Sequence, residues 1–383
     1  MQYKLGNIAI FIRNGVNIKN DKSKGGIPIT RIETISDGIV NENKMGYADI
    51  IDDRYKDYYL KQNDILMSHI NSAKHLGKVA IFNGDKKIIH GMNLLDIRLN
   101  NDICNSKYVY YFFKTKRFKK QLNKISKQSV NQSSFTVNDL KEIKISLPLL
   151  EKQKMIANKL DKVQAMIDLR KKQTEELDKL IKSQFVEIFG DPIENPKNNK
   201  IVKLSDIAEY WNGLTYKPTD VNKEGTIVLR SSNIQNSRLD YEDVVRVDCD
   251  IKEKLYVKDN DILMCSRNGS SRLVGKVAVI KDTLERMTFG AFMMIIRSEY
   301  YPYLFSYFQT DAFRNQIKSG ATTTINQITG NMLNKIKLPL PDMKDIEKFT
   351  EFVKQVDKQK FLIEKSLKET KDLQESLMNK YFL

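Results

Sequence analysis

Two short polar loops hold the side chains best suited to specific recognition chemistry. One reads Ser68-His69-Ile70-Asn71-Ser72-Ala73-Lys74-His75-Leu76, and the other Cys265-Ser266-Arg267-Asn268-Gly269-Ser270-Ser271-Arg272-Leu273-Val274. Each begins after a Met and closes at a Gly. The guanidinium of Arg267 or Arg272 offers a donor fork matched to guanine O6 and N7. The amide of Asn71 or Asn268 matches adenine N6 and N7. Ser68, Lys74, Ser266 and Ser270 suit phosphate contacts, which set register without reading bases, and His69 and His75 complete the polar set. The competing reading is a pair of ordinary polar connectors.

Two further pairs of stretches carry similar groups. Thr30-Arg31 and Arg230-Ser231-Ser232-Asn233 follow the strand-like Pro28-Ile29 and Val228-Leu229, with Arg31, Arg230, Ser232 and Asn233 as the candidate contacts. Residues 127–134 and 319–327 each follow a short helical pattern. Turn chemistry and helix capping explain these stretches equally well. A basic run, Lys114, Lys116, Arg117, Lys119, Lys120, Lys124 and Lys127, contains no acid. It suits a phosphate backbone, with Lys116, Arg117, Lys119 and Lys120 at its centre; the alternative is a solvated helix face.

Other chemistries lack their residues. No GxxxxGK[ST] phosphate loop is present, which argues against an ATP-driven motor. His69, His75 and His90 are the only histidines and no CxxC or HExxH spacing accompanies them, so no metal site is expected. Cys104, Cys249 and Cys265 read as reduced thiols of a cytoplasmic protein. No apolar run is long enough for a membrane span. The formal net charge of +16 is uneven: residues 1–150 carry +11, residues 191–343 carry +2, and the segments 151–190 and 344–383 together +3. Such a field favours a polyanion.

The elements that must position these groups come in duplicate. Lys4-Leu5-Gly6-Asn7-Ile8-Ala9 is echoed by Lys203-Leu204-Ser205-Asp206-Ile207-Ala208. Asn63-Asp64-Ile65-Leu66-Met67 recurs as Asn260-Asp261-Ile262-Leu263-Met264, and Gly77-Lys78-Val79-Ala80 as Gly275-Lys276-Val277-Ala278. The offsets of 199, 197 and 198 keep the copies in order, the mark of a tandem repeat. Residues shared by both copies cannot distinguish two targets, so the Asn-Asp-Ile-Leu-Met motif is expected to be a turn into a buried strand.

Each copy begins with short apolar runs separated by turn residues, such as Ile27-Pro28-Ile29 and Val79-Ala80-Ile81-Phe82, then a short helix over residues 108–122 or 303–317. Each ends in a long helix whose seam repeats every 3.5 positions and is mostly apolar, with Arg170, Thr174 and Gln184 filling the remaining seam positions of the first. The stripe runs through Ile156, Leu160, Val163, Ile167, Leu177, Ile181 and Ile188, then Phe349, Val353, Val356, Ile363, Leu367, Leu377 and Tyr381. A narrow stripe on a charged rod is best buried by a second rod. The expected fold class is α+β: two similar mixed α/β domains (1–150 and 191–343) separated by two long antiparallel helices (151–190 and 344–383). These helices form a coiled-coil spacer with pseudo-two-fold symmetry.

This layout resembles the specificity subunit of Type I restriction–modification enzymes. The resemblance rests on the paired Asn-Asp-Ile-Leu and Gly-Lys-Val-Ala motifs. It also rests on Ile143-Lys144-Ile145-Ser146-Leu147-Pro148-Leu149-Leu150-Glu151-Lys152-Gln153, similar to the family's Pro-rich entry into a helical region. The second copy departs there, with Ile346 where Gln153 predicts a glutamine. The resemblance implies a non-catalytic subunit that binds double-stranded DNA with a bipartite target, one half-site per domain, the helices fixing the gap. It implies two adenine-N6 methyltransferase subunits and restriction/translocase subunits as partners. S-adenosylmethionine, ATP and Mg are then expected on those partners and no cofactor in this chain. Two other readings stand beside it: the recognition half of a fused restriction–methylation enzyme, or a coiled-coil scaffold for proteins.

Overall fold

The computed structural model describes the chain except residues 21–24, 36–37, 50–52, 73–74, 93, 129–132, 282–284, 319–325 and 383. It divides into two units, and they do not follow chain order. The first holds residues 1–172 and 364–383; the second holds residues 173–363.

At the centre of the first unit is a four-stranded antiparallel sheet, ordered Ala9–Asn14, Leu94–Leu99, Ile65–Ser68, Val79–Ile81. The second unit repeats that order with Glu209–Asn212, Met293–Arg297, Ile262–Cys265 and Val277–Val279. The motif strands run without polar alternation because both faces are covered. Ile65 and Met67 join a core of short helices, while Leu66 and Ala80 join a separate cluster with Phe82 and Ile88. Ile262 and Met264 divide from Leu263 and Cys265 in the same way.

The repeated Asn-Asp pair is the turn that aims these strands. Asn63 and Asn260 take left-handed φ of 72° and 71°, a conformation asparagine tolerates better than most residues. The Asp64 carboxylate accepts the Lys61 N–H at 2.7 Å and the Arg98 fork at 2.8 and 2.6 Å. Asp261 accepts Lys258 at 2.8 Å and Arg297 at 2.7 Å twice. Both carboxylates are 1% exposed, so the motif is framework.

The expected single short helix is two in each unit: Ser106–Phe113 then Lys116–Ile125, and Tyr301–Tyr307 then Asp311–Lys318. A threonine makes each break. Thr115 Oγ1 donates to the Phe112 carbonyl at 2.7 Å and accepts the Phe118 N–H at 3.1 Å. Thr310 does the same with Tyr307 and Phe313. An N-cap of this kind starts a new helix inside an otherwise continuous apolar pattern.

Two 40-residue helices, Leu150–Phe189 and Met343–Phe382, are each about 60 Å long. In the first unit Gln374 Nε2 donates to Gln164 Oε1 at 3.1 Å and Arg170 Nε to Thr370 Oγ1 at 3.3 Å. As one number rises the other falls, so the two segments run antiparallel. In the second unit Lys360, 4% exposed, pairs with Asp178. Each unit also grips the tail of a rod. Phe382 lies 4.8 Å from Tyr108 in the first, and Phe189 lies 5.0 Å from the matched Tyr303 in the second.

The departure at Ile346 has a packing explanation. Gln153 is 1% exposed; its Oε1 accepts the Asn105 N–H at 2.9 Å and its Nε2 donates to the Pro148 carbonyl at 2.9 Å. Ile346 is 2% exposed within the second unit's apolar core. A polar clamp in one copy is an apolar plug in the other.

Candidate nucleic-acid interface

In the first unit the loop after Ser68 is not free-standing. Ile70–Asn71 pairs with Ser133–Ser134, which pairs with Lys127–Gln128. Two candidate stretches far apart in sequence are thereby one small ribbon. In the second unit Arg267 bridges Gln327, and the Asn268 N–H donates to the Asn326 carbonyl at 3.3 Å. The anchor behind each is the same: the Phe135 N–H donates to the His69 carbonyl, and the Ile328 N–H to the Ser266 carbonyl. One framework thus presents Ile70 beside Ser134 in one unit and Arg267 beside Gln327 in the other.

Individual candidates divide into those turned outward and those committed to the framework. Arg267 and Arg272 are exposed, and Asn268 and Ser270 half-buried. The Asn268 amide donates to Ser231 Oγ at 3.2 Å and accepts the Ser270 N–H at 3.0 Å, joining the stretch around residue 231 to the loop. Ser266 is buried, its Oγ donating to the Phe292 carbonyl at 2.9 Å. Ser68 is 1% exposed and accepts from Asn71 Nδ2 at 3.2 Å; Asn71 Oδ1 accepts the Ser72 N–H at 2.8 Å. Asn71 is thus largely used within its own turn. His69 is buried against Phe135, and burial holds its imidazole below the ordinary histidine pKa and uncharged at neutral pH. His75 is half-buried, and Lys74 lies outside the described residues.

Asn233 is a framework residue. At 1% exposure it accepts the Arg230 N–H at 2.9 Å and donates to the Asp240 and Asp243 carbonyls at 2.9 Å each. Arg230 is tied to Asp243 at 3.3 Å, whereas Ser232 is exposed. Arg31 pairs with Glu33 at 3.2 Å and lines a shallow cleft with Asn17, Lys19 and Thr30.

The basic run splits by what its side chains hold. Lys116 reaches Glu375 at 2.5 Å, and Arg117 donates to the Phe382 carbonyl at 3.2 Å, so both serve the rod. Lys114 donates to the Tyr110 hydroxyl at 3.2 Å. Lys119, Lys120 and Lys124 on the helix, and Lys127 on the strand that follows it, are exposed.

Two features escape a reading of the sequence. Phe292, 60% exposed, stands beside Arg267, whose guanidinium carbon lies 5.4 Å from the ring centroid. It sits in Gly290-Ala291-Phe292-Met293-Met294-Ile295-Ile296, which reads as uninterrupted core strand. The second is a buried polar group in the first unit. Arg13 faces Asp96 across two strands at 3.8 Å, where the second unit pairs Trp211 with Ile295. Burial, then the charge of Asp64, pushes the Asp96 carboxyl well above the usual carboxylate range. His90, fully buried beside Gly91, occupies the place of Phe289 beside Gly290, and burial lowers its pKa to about 4.

Among the described residues no group of His, Cys, Asp or Glu is placed to hold a metal ion. No described helix is long and apolar enough to cross a membrane.

The model of the Type I restriction modification DNA specificity domain matches this chain twice, over residues 1–179 and 196–371. The provisionally assigned type I restriction enzyme MjaX specificity subunit of Methanocaldococcus jannaschii is 32% identical over 397 residues, covering 97% of this chain and 91% of that protein. The type I restriction enzyme EcoKI specificity subunit of Escherichia coli is 25% identical, covering 72% of this chain and 65% of its own length. The crystal structure of a Type I restriction–modification S subunit from M. genitalium superposes with a TM-score of 0.58 at 16% identity, over 100% of this chain and 96% of that one.

Proposed function

As this chain belongs to the Type I restriction–modification DNA specificity family, we propose that its two units read the two halves of one split DNA target. The observation that carries this reading is the shared framework with different chemistry on it. Matched sheets and anchors present Ile70 with Ser134 in one unit and Arg267 with Gln327 in the other. Two copies of one reader with unlike loops suit a target of two unlike half-sites, with a stiff connection setting the interval. Lys119, Lys120, Lys124 and Lys127 supply charge for phosphate contacts in the first unit. Arg272, Ser270 and Asn268 stand beside Arg267 as the second unit's contact set, and His75 and Arg31 serve the first.

The subunit itself carries recognition, and the chemistry belongs to its partners. We assign adenine-N6 methylation, with S-adenosylmethionine, to two methyltransferase subunits docked on the long helices. Cleavage and translocation, with ATP and Mg, go to restriction subunits, the whole acting in the cytoplasm. The rods have side chains suited to docking. In the first unit Met155, Met166 and Leu169 are exposed at spacings of 11 and 3 along Leu150–Phe189, which at 100° per residue puts them on one face. The test is a genome-wide map of N6-methyladenine with and without the gene in a host where the system is active. One split motif should vanish on deletion; survival of every modified motif refutes the assignment.

A further inference from the structure

Resting on the sequence-reading role above, we propose that Phe292 and Arg267 act together to read a thymine–guanine step in the second unit's half-site. The phenyl ring takes the thymine methyl and the guanidinium takes guanine O6 and N7. Phe292 is held for such a role. Its carbonyl accepts the Ser266 N–H at 3.0 Å, the Ser266 hydroxyl at 2.9 Å and the Arg267 N–H at 3.1 Å. Three donors on one carbonyl fix the backbone of both residues while the ring projects at 60% exposure. An apolar ring in the open, on a rigid stem and amid hydrogen-bonding side chains, contributes little to the fold where it stands.

Arg267 differs from the arginines that serve the framework. Arg230, Arg238, Arg246, Arg286 and Arg297 of the same unit all pair with carboxylates. Arg267 is exposed and lies over the Phe292 ring instead. Stacking against an aromatic face preorganises the planar fork without consuming its donors, so less rotamer freedom is lost on binding. In the major groove a bidentate guanidinium selects guanine, and the methyl of thymine is the apolar group an aromatic side chain can select. Ring centroid and guanidinium carbon are 5.4 Å apart, whereas stacked bases rise about 3.4 Å. That separation suits neighbouring base pairs rather than one. The matched positions in the first unit are Ile70 and, by sequence register, Asn93, so only the second half-site acquires this preference.

The test uses the full chain purified from its host with its bound subunits. Duplexes are selected from a randomised pool, then remade with deoxyuridine for the thymine or 7-deazaguanine for the guanine. Wild type should select a thymine–guanine step, and deoxyuridine should weaken its binding about fourfold, the value of one buried methyl. Phe292→Ala should bind both duplexes alike. Arg267→Gln should lose about tenfold or more of the guanine preference together with sensitivity to 7-deazaguanine. Both side chains are exposed, so each variant should co-purify with the same subunits and melt with the complex at the wild-type temperature. A selected half-site without that step, deoxyuridine sensitivity retained by Phe292→Ala, or guanine preference retained by Arg267→Gln overturns the proposal and leaves sequence reading intact. Wild type that selects no sequence at all overturns both.

Discussion

Replacing Asp261 with Asn tests whether the repeated motif is framework. The substitution keeps an oxygen for the Lys258 N–H but removes the charge facing Arg297. Leaving a buried cation unpaired costs about 3–5 kcal/mol. The Arg297 side chain is 32% exposed, which discounts the expected loss to about 2–3 kcal/mol. Trp211 is the single tryptophan, and its ring lies 4.9 Å from the Arg297 guanidinium, so its emission follows this site directly. With a urea dependence of about 2–3 kcal/mol per molar, the midpoint of the Trp211 transition should fall by about 1 M. Arg297→Met alone should also destabilise, and the double variant should cost less than the sum, giving a coupling of about 2 kcal/mol. A midpoint shift below about 0.3 M, or additive singles, refutes the claim that this pair holds the turn. The matched Asp64→Asn should cost less. Asp96 is near enough to feel both Asp64 and Arg98, and without the Asp64 charge it ionises more readily and takes over as counter-ion.

Converting Lys119, Lys120 and Lys124 together to Gln should weaken binding to every duplex and reduce the slope of log affinity against log salt by up to about 3; lost base preference at constant slope would contradict a phosphate role. His90 should make the first unit acid-sensitive. Its lowered pKa gives stability that is full above the ordinary value of 6.5 and declines as pH falls toward about 4, a loss on the order of 3 kcal/mol. His90→Phe, the residue at the matched place, should flatten that acid limb in urea titrations; Asp96, whose raised carboxyl works in the opposite sense, is common to both proteins. Asn233→Ala should lower stability by about 1–3 kcal/mol and leave the selected DNA sequence unchanged, as a reader residue would not.

The duplication made the architecture legible, because three matched motifs in order fixed two like sheets and two like rods without any contact being known. The helix breaks were hidden. Thr115 and Thr310 interrupt an apolar pattern that otherwise continues, and a threonine inside a helix looks the same in sequence as one capping it. The candidate loops stood out in the sequence, but which of their side chains face outward did not. Ser68, Ser266 and Asn233 have the same hydrogen-bonding groups as Asn268 or Ser270, yet burial turns the first three inward. Phe292 erred the other way. Within a run of seven mostly apolar residues nothing distinguishes the ring that faces water from those that face the core.

The first unit is completed by residues 364–383, and Lys116 meets Glu375 across 259 positions of chain. Synthesis therefore leaves residues 1–172 waiting for a segment made only after the whole second unit. Until residues 364–383 have been made, Tyr108 lacks Phe382 and the apolar surface meant for that helix lies bare. A stop codon just after residue 363 would spare the second unit and cripple the first, so damage late in the sequence appears in the earlier of the two domains.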